Sequence, residues 1–179
     1  MATIKKATKK STPKNSSLAL ETIGVLGLGI MGSAISGNLL KAGFDVIGFD
    51  PNPTCQKRLV KAGGRVAKSA GELGKQATFI ISSLPSANAL IESAKAIAAS
   101  GKKGLVIAEA STLDLDDKAA GKKILDAKGI ILLDCPLSGT GAQAKTKDLS
   151  IYASGDAKDV RAFSAIFDGF ARTHYFVGE

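Results

Sequence analysis

Cysteine is scarce in this chain: two among 179 residues, Cys55 and Cys135, at a spacing that matches no metal motif. Two are too few for a disulfide scaffold, so both read as reduced thiols of a cytoplasmic protein. Cys135 reads as a small buried filler, with a reactive thiol as the alternative because a candidate site loop lies beside it. Long apolar runs are missing as well. None approaches the ~20 residues that a membrane helix needs, which argues against a membrane partner. Histidine occurs once, as His174. Catalytic bases are often histidines, but this one lies far in sequence from the segments discussed below and suits a structural or surface role. Acidic residues are absent before Glu21, while Lys5, Lys6, Lys9, Lys10 and Lys14 crowd the same stretch. Without those five lysines the net charge falls from +8 to +3, so a nucleic-acid partner would rest on the tail alone. Residues 1–20 combine Lys, Ser, Thr, Pro and Asn with little apolar content and are expected to be disordered. A solvated extension is the plain reading. A weak polyanion contact and an organelle-targeting peptide are the alternatives, the second weakened by the lack of arginine. No internal repeat is visible.

What is present is a core-forming composition, 45% hydrophobic and 22% charged, in a length that fits one domain with a tail. Its most informative stretch runs from Ile23. An apolar segment, Ile23 to Leu28, reads as a buried strand and enters Gly27-Leu28-Gly29-Ile30-Met31-Gly32. A helix-like stretch follows, Ser33 to Ala42, and then a second apolar run, Val46 to Phe49, ending on Asp50. Strand, glycine turn, helix, strand and acid in that order form the dinucleotide fingerprint in context. Gly27 permits the tight turn, Gly29 lets the backbone approach a pyrophosphate, and Gly32 lets helix and strand pack closely. The helix N-terminus offers free N–H groups and a positive dipole end to phosphates. With 20 glycines in the chain, the motif alone would be weak; a structural glycine turn is the alternative.

Helix and strand signals alternate after Asp50. Helices are expected over Pro51–Ala62, Ala87–Ala99 and Leu113–Ala127, with another opened by a capping box, Ser69-Ala70-Gly71-Glu72. Strands are expected over Gly64–Ala67, Thr78–Leu84, Gly104–Ala108 and Ile130–Leu133. This rhythm implies βαβ units, a parallel sheet covered on both faces and a doubly wound, Rossmann-type α/β fold over residues 21–179. The rhythm then changes. Leu149–Ala153 alternates as a strand, Asp156–Phe170 reads as a helix capped by Asp156, and Arg172–Val177 reads as a last strand, a mixed extension of the mostly parallel sheet.

Asp50 follows Gly32 by 18 residues. A carboxylate there accepts hydrogen bonds from both hydroxyls of an adenosine ribose and repels a 2′-phosphate, so NAD is favoured over NADP. No arginine stands at or just after Asp50, and Lys57 and Arg58 come a helical turn or more later. The alternative is that Asp50 merely caps the next helix.

Several segments agree with one family: the glycine motif, then Leu84-Pro85, Ser111-Thr112, and Asp134-Cys135-Pro136-Leu137-Ser138-Gly139. Over Thr22 to Glu179 the chain resembles the N-terminal NAD-binding domain of the β-hydroxyacid dehydrogenases, which include 3-hydroxyisobutyrate dehydrogenase, tartronate semialdehyde reductase and the 6-phosphogluconate dehydrogenases. The resemblance implies that Leu84 and Pro85 line the nicotinamide half of the cofactor, with Asn88 near the place of a family asparagine. It implies that Thr112 contacts the cofactor; the competing role is capping a helix that starts near Leu113. Ser138, Gly139 and Thr140 match the substrate-binding segment, whose hydroxyl and backbone N–H could hold a carboxylate; a simple loop is the other reading. Thr140, Gln143 and Lys147 replace family glycines, which puts the substrate in doubt.

The implied activity is oxidation of the CH–OH group of a small 3-hydroxy acid by NAD, in a protein that forms homo-oligomers at full length. The resemblance places the catalytic lysine on a helix past Glu179, in a C-terminal helical domain absent from this sequence. No catalytic residue is therefore assigned, and residues 21–179 alone are expected to bind NAD without efficient turnover. The missing partner domain should leave an apolar face near Phe163–Phe176 and promote self-association. Competing functions are a non-catalytic dinucleotide-sensing or protein-interaction module, and an NADP-linked imine or related reductase. A hydrolase built on Ser138 and His174 is disfavoured because Ser138 lacks the Gly-x-Ser-x-Gly elbow.

Overall fold

The computed structural model describes residues 21–100 and 102–179; the basic tail expected over residues 1–20 lies outside the described residues. The chain alternates β1 (Thr22–Leu26), α1 (Ile30–Lys41), β2 (Asp45–Phe49), α2 (Pro53–Lys61), β3 (Arg65–Val66), α3 (Ala70–Gln76), β4 (Phe79–Ser82), α4 (Ala87–Ala98), β5 (Val106–Glu109), α5 (Leu115–Asp126) and β6 (Ile131–Asp134). It continues through β7 (Leu137–Ser138), α6 (Gly141–Lys145), β8 (Ser150–Ser154), α7 (Ala157–Phe170) and β9 (Thr173–Gly178). The strands form one sheet in the order β3-β2-β1-β4-β5-β6-β8-β7, with β9 paired to β8. Pairing is parallel from β3 through β6, antiparallel at β6–β8 and β7–β8, and parallel again at β8–β9. The expected doubly wound fold with a mixed C-terminal extension is thus what forms.

Strand periodicity explains the layers. Successive side chains point to opposite faces. Ile23, Val25, Ile81, Val106, Ala108 and Leu133 pack into one core with α1 and α7, whereas Leu26, Ile80, Ile107 and Leu132 pack into a second core with α3 and α4. In the first core Phe163 stacks on Phe167 at 5.2 Å and meets Phe79 edge-on at 5.1 Å. Such pairs add about 0.5–1.5 kcal/mol to the burial itself.

Several expected boundaries shift for local reasons. β1 stops at Leu26 because Gly27 adopts φ +86°, a left-handed conformation that turns the chain. α1 starts at Ile30 rather than Ser33, with Gly29 as its cap. α2 starts at Pro53 because Asn52 caps it, its side chain accepting from the Thr54 N–H. The capping box at Ser69 forms by half: Ser69 accepts from the Glu72 N–H, but Glu72 reaches back to the Lys68 N–H at 2.6 Å instead. The strand–helix pair β7–α6 falls where a loop was the alternative.

The C-terminal region corrects a further expectation. Phe163, Ile166, Phe167 and Phe170 are buried, so no continuous apolar face runs from Phe163 to Phe176; exposure is confined to Tyr152, Tyr175, Phe176 and Val177 along β8 and β9. No described helix is long and apolar enough to cross a membrane.

Candidate functional site

The order β2-β1-β4 places a switch point between β1 and β4, where the chain crosses from one half of the sheet to the other. In such folds ligands bind in the crevice outside the carboxyl ends of the strands at this point. A cavity of about 520 Å³ opens there, lined among others by Gly27, Gly29, Ile30, Met31, Asp50, Leu84 and Pro85. Phe49, Pro51, Ala89, Glu92 and Ser93 complete much of its wall.

The three motif glycines have three different reasons for lacking a side chain. A Cβ on Gly27 would sit 2.2 Å from the Ser83 carbonyl oxygen, and one on Gly32 would sit 1.8 Å from the Gly27 carbonyl oxygen. Both are packing requirements of the protein. At Gly29 a Cβ would meet nothing within 4 Å, and its φ of −64° suits any residue. No collision within the chain requires glycine at 29; the open space is left for whatever approaches the backbone from outside. The first intrahelical bond of α1 is from the Ser33 N–H to the Gly29 carbonyl, at 2.9 Å. By helical geometry the N–H groups of Ile30, Met31 and Gly32 therefore lack intrahelical acceptors, and Ile30 and Met31 border this space. The residues present fit a dinucleotide pyrophosphate.

Asp50 directly follows β2 at the rim. Its carboxylate accepts from the Leu28 N–H at 2.7 Å and from the Asn52 N–H at 2.8 Å, so it latches the glycine turn to the end of β2. It does not cap α2, since Asn52 fills that role. A carboxylate offers about four lone-pair sites, so two remain for a ligand. The two arginines that follow in sequence are engaged: Arg58 donates to Cys55 Sγ at 2.9 Å, and Arg65 to Asp45 at 2.6 Å.

On the far side of the switch point, the Leu84 N–H donates to Ser111 Oγ at 2.7 Å, which joins the turns Leu84–Pro85 and Ser111–Thr112. Thr112 is exposed and does not cap α5, whose cap position is Asp114. Asn88 is exposed in the first turn of α4 and, like Thr112, is not among the residues lining the cavity.

Ser138 and Gly139 lie where β7 ends, and both are exposed. Thr140 is occupied structurally: it caps α6 in a full capping box with Gln143, accepting from the Gln143 N–H while its own N–H donates to Gln143 Oε1 at 2.9 Å. This threonine–glutamine pair, spaced as capping boxes are, was the signal for the missed helix. Lys147 adopts φ +61°, a left-handed conformation in which glycine would be easier, and donates to the Asp168 carbonyl at 2.8 Å. The helix α6 docks on α1, where Asn38 Nδ2 donates to the Ala144 carbonyl at 2.7 Å. A Cβ on Gly141 would lie 2.4 Å from Ile30 Cγ2. The fold therefore brings the Ser138–Gly141 segment against the start of the glycine-motif helix.

Three charged residues at the carboxyl edge were not anticipated as a group. Glu109, at the end of β5, is fully buried; Lys118 in α5 is nearly so and lies 3.1 Å from Glu109 Oε2 while also bonding Asp134. Burial disfavours the Lys118 ammonium, yet Asp134 and Glu109 outweigh it and hold its pKa above the ordinary lysine value. The legible signal was spacing: Lys118, Gly121 and Leu125 form the buried stripe of α5. Cys135, beside Asp134, is buried, and burial with the nearby Asp134 and Glu109 carboxylates pushes its thiol pKa far up. It is an inert filler, not a reactive thiol. His174 packs on Phe167 at 5.5 Å with Nδ1 3.4 Å from Asp168, and does not line the cavity. Among the described residues no group of three His, Cys, Asp or Glu side chains is placed to hold a metal.

A family model described as the NAD binding domain of 6-phosphogluconate dehydrogenase matches residues 22–178. The L-threonate dehydrogenase of Haemophilus influenzae is 28% identical over 142 residues, 76% of this chain and 47% of that protein. The mitochondrial 3-hydroxyisobutyrate dehydrogenase of Mus musculus is 33% identical over 116 residues, 63% of this chain and 35% of that protein. The chain thus spans about half the length, or less, of these curated relatives. Among solved structures, Mycobacterium tuberculosis 3-hydroxyisobutyrate dehydrogenase with L-serine superposes with a TM-score of 0.84 at 29% identity, over 88% of this chain and 54% of that one. An imine reductase from Pseudomonas sp. has a TM-score of 0.82 at 24% identity, over 88% of this chain and 55% of that one; it shares the fold.

Proposed function

This chain belongs to the family of the NAD binding domain of 6-phosphogluconate dehydrogenase, and from that premise we propose that it holds NAD for oxidation of the CH–OH group of a small 3-hydroxy acid. The observation that carries the reading is one cavity shared by Gly29, the first turn of α1, Asp50 and the Leu84–Pro85 turn. Bound NAD would supply the hydride acceptor. The protein's part is to bind and orient. The free N–H groups at the start of α1 hold the pyrophosphate, and Asp50 accepts from the ribose hydroxyls. Leu84 and Pro85 wall the nicotinamide half, with Asn88 and Thr112 as outlying contacts. The Ser138 hydroxyl and the Gly139 N–H hold the substrate carboxylate, with Thr140 fixing the turn as cap of α6. The relatives named for 3-hydroxyisobutyrate and L-threonate support this substrate class.

Lys118, the buried lysine at the carboxyl edge, is tied to two carboxylates and is not free to shuttle a proton. Residues 21–179 are therefore expected to bind the dinucleotide and to turn over slowly by themselves.

NAD rather than NADP is favoured by Asp50 on the cavity wall and by the engagement of Arg58 and Arg65 elsewhere. Titration of Asp50→Ala with NADH and NADPH, followed by fluorescence, tests this. NADH affinity should fall about tenfold more than NADPH affinity, a difference of about 1.4 kcal/mol. Equal losses would sink the NAD assignment, because the latch on Leu28 serves either cofactor alike.

A further inference from the structure

Three parallel strands, β4, β5 and β6, end side by side at the carboxyl edge of the sheet, and one buried carboxylate joins them. Glu109 Oε1 accepts from the Ser82 hydroxyl at the end of β4, at 3.2 Å, and from the Ser111 N–H, at 3.0 Å. Glu109 Oε2 faces Lys118 Nζ, which also holds Asp134 at the end of β6. Ser111 in turn accepts the Leu84 N–H, and Leu84 and Pro85 line the cavity. We propose that Glu109 is a positioning residue for the nicotinamide half of the cofactor, acting through Ser111 on the Leu84–Pro85 turn, with Lys118 as the cation that holds it in place. The proposal rests on the dinucleotide reading above.

Topology decides which half is concerned. A dinucleotide lies across the switch point, and Asp50 fixes the adenosine half over β1 and β2. The other half then falls over β4, β5 and β6, the strands that Glu109, Lys118 and Asp134 tie together. The charges are not placed there by helix or core preference. Lys118 is the fourth residue of α5, near the positive end of the helix dipole, where a cation is disfavoured. A buried ion pair is often no more stabilising than apolar packing of the same volume. What this pair does geometrically is fix an acceptor for the Ser111 N–H. That sets the Ser111 hydroxyl at the one place where it meets the Leu84 N–H, just before a proline that has no N–H of its own.

The test uses NADH and ADP-ribose, which lacks the nicotinamide, as paired probes on the 179-residue chain. Glu109→Ala/Lys118→Met removes the acceptor without leaving a buried charge from the pair. Glu109→Gln/Lys118→Met removes the same charges but keeps an amide oxygen as acceptor. The alanine double variant should bind NADH at least fivefold more weakly with ADP-ribose affinity unchanged, and the glutamine double variant should recover most of the preference. A general loss of structure would weaken both probes together. An alanine double variant that keeps the wild-type preference for NADH over ADP-ribose overturns the proposal. If neither double variant folds, Ser111→Ala, which removes one hydroxyl of the same relay, must show the selective loss of NADH or the proposal fails. Wild-type chain that binds neither probe would overturn the cofactor reading itself, and this role with it.

Discussion

The two halves of the crevice are built by different means. On the β1–β2 side the wall is backbone: a turn at Gly27, an open face at Gly29, a close contact at Gly32, and one carboxylate, Asp50, latching the turn from the rim. On the β4–β6 side the equivalent turns are held by side chains reaching between strands: Glu109 to Ser82, Lys118 to Asp134, Ser111 to Leu84. The first half depends on the absence of atoms and the second on buried charge. The two should therefore fail differently, one by steric collision and the other by leaving a charge alone.

The largest effect should come from Lys118→Met. It strands Glu109, fully buried, without its cation, and breaking one partner of a buried pair costs about 3–5 kcal/mol. Adding Glu109→Gln should return most of that loss. Urea denaturation of the wild type, the single and the double variant checks both statements; a single variant within about 1 kcal/mol of wild type would show that the charges are not coupled. The pH dependence has a sign. The folded-state pKa of Lys118 is raised, by Asp134 and Glu109 against the opposing effect of burial. Its contribution is complete below the ordinary lysine value of 10.5 and is lost as pH rises through the higher folded value. The wild type should lose stability more steeply than the double variant on that alkaline side.

On the glycine side the contrast is between neighbours. Gly32→Ala drives a Cβ to 1.8 Å from the Gly27 carbonyl, which the turn must relieve by moving; overpacking of this kind costs about 1–3 kcal/mol. Gly29→Ala meets no protein atom and should change stability by less than about 0.5 kcal/mol, yet weaken NADH binding tenfold or more. Thermal melts with and without NADH separate the two. Gly29→Ala that binds NADH as wild type does would remove the pyrophosphate from that space.

This difference between the halves also decides what the sequence made legible. Gly27, Gly29, Gly32 and Asp50 are readable because local spacing encodes a local backbone shape, and the second strand brings Asp50 back to the turn by a short crossover. Glu109 and Lys118 are not, because Ser82 lies 27 residues from Glu109 and Asp134 lies 16 from Lys118; only the sheet order makes them neighbours. Thr140 shows a third case. Its identity was legible, but its hydroxyl serves the short helix α6, whose capping box with Gln143 was hidden by comparison with family glycines.

The smallest effect sharpens the same contrast. Asp45 and Arg65 form an ion pair too, at 2.6 Å, but across β2 and β3 with about half of each side chain in solvent. Water screens the attraction there, and such pairs contribute about 0.2–1 kcal/mol. The Arg65 guanidinium, partly offset by burial, holds the Asp45 carboxyl below its ordinary value. Its contribution is therefore present above that ordinary value, 3.8, and lost as pH falls through the lower folded value. Asp45→Asn should thus cost less than about 1 kcal/mol at neutral pH, and the gap between variant and wild type should close in acid. High salt should shrink it further, whereas the Lys118–Glu109 pair, shielded from solvent, should respond little to salt. A loss at Asp45 as large and as salt-insensitive as that at Lys118 would mean that burial is not what separates the two ion pairs.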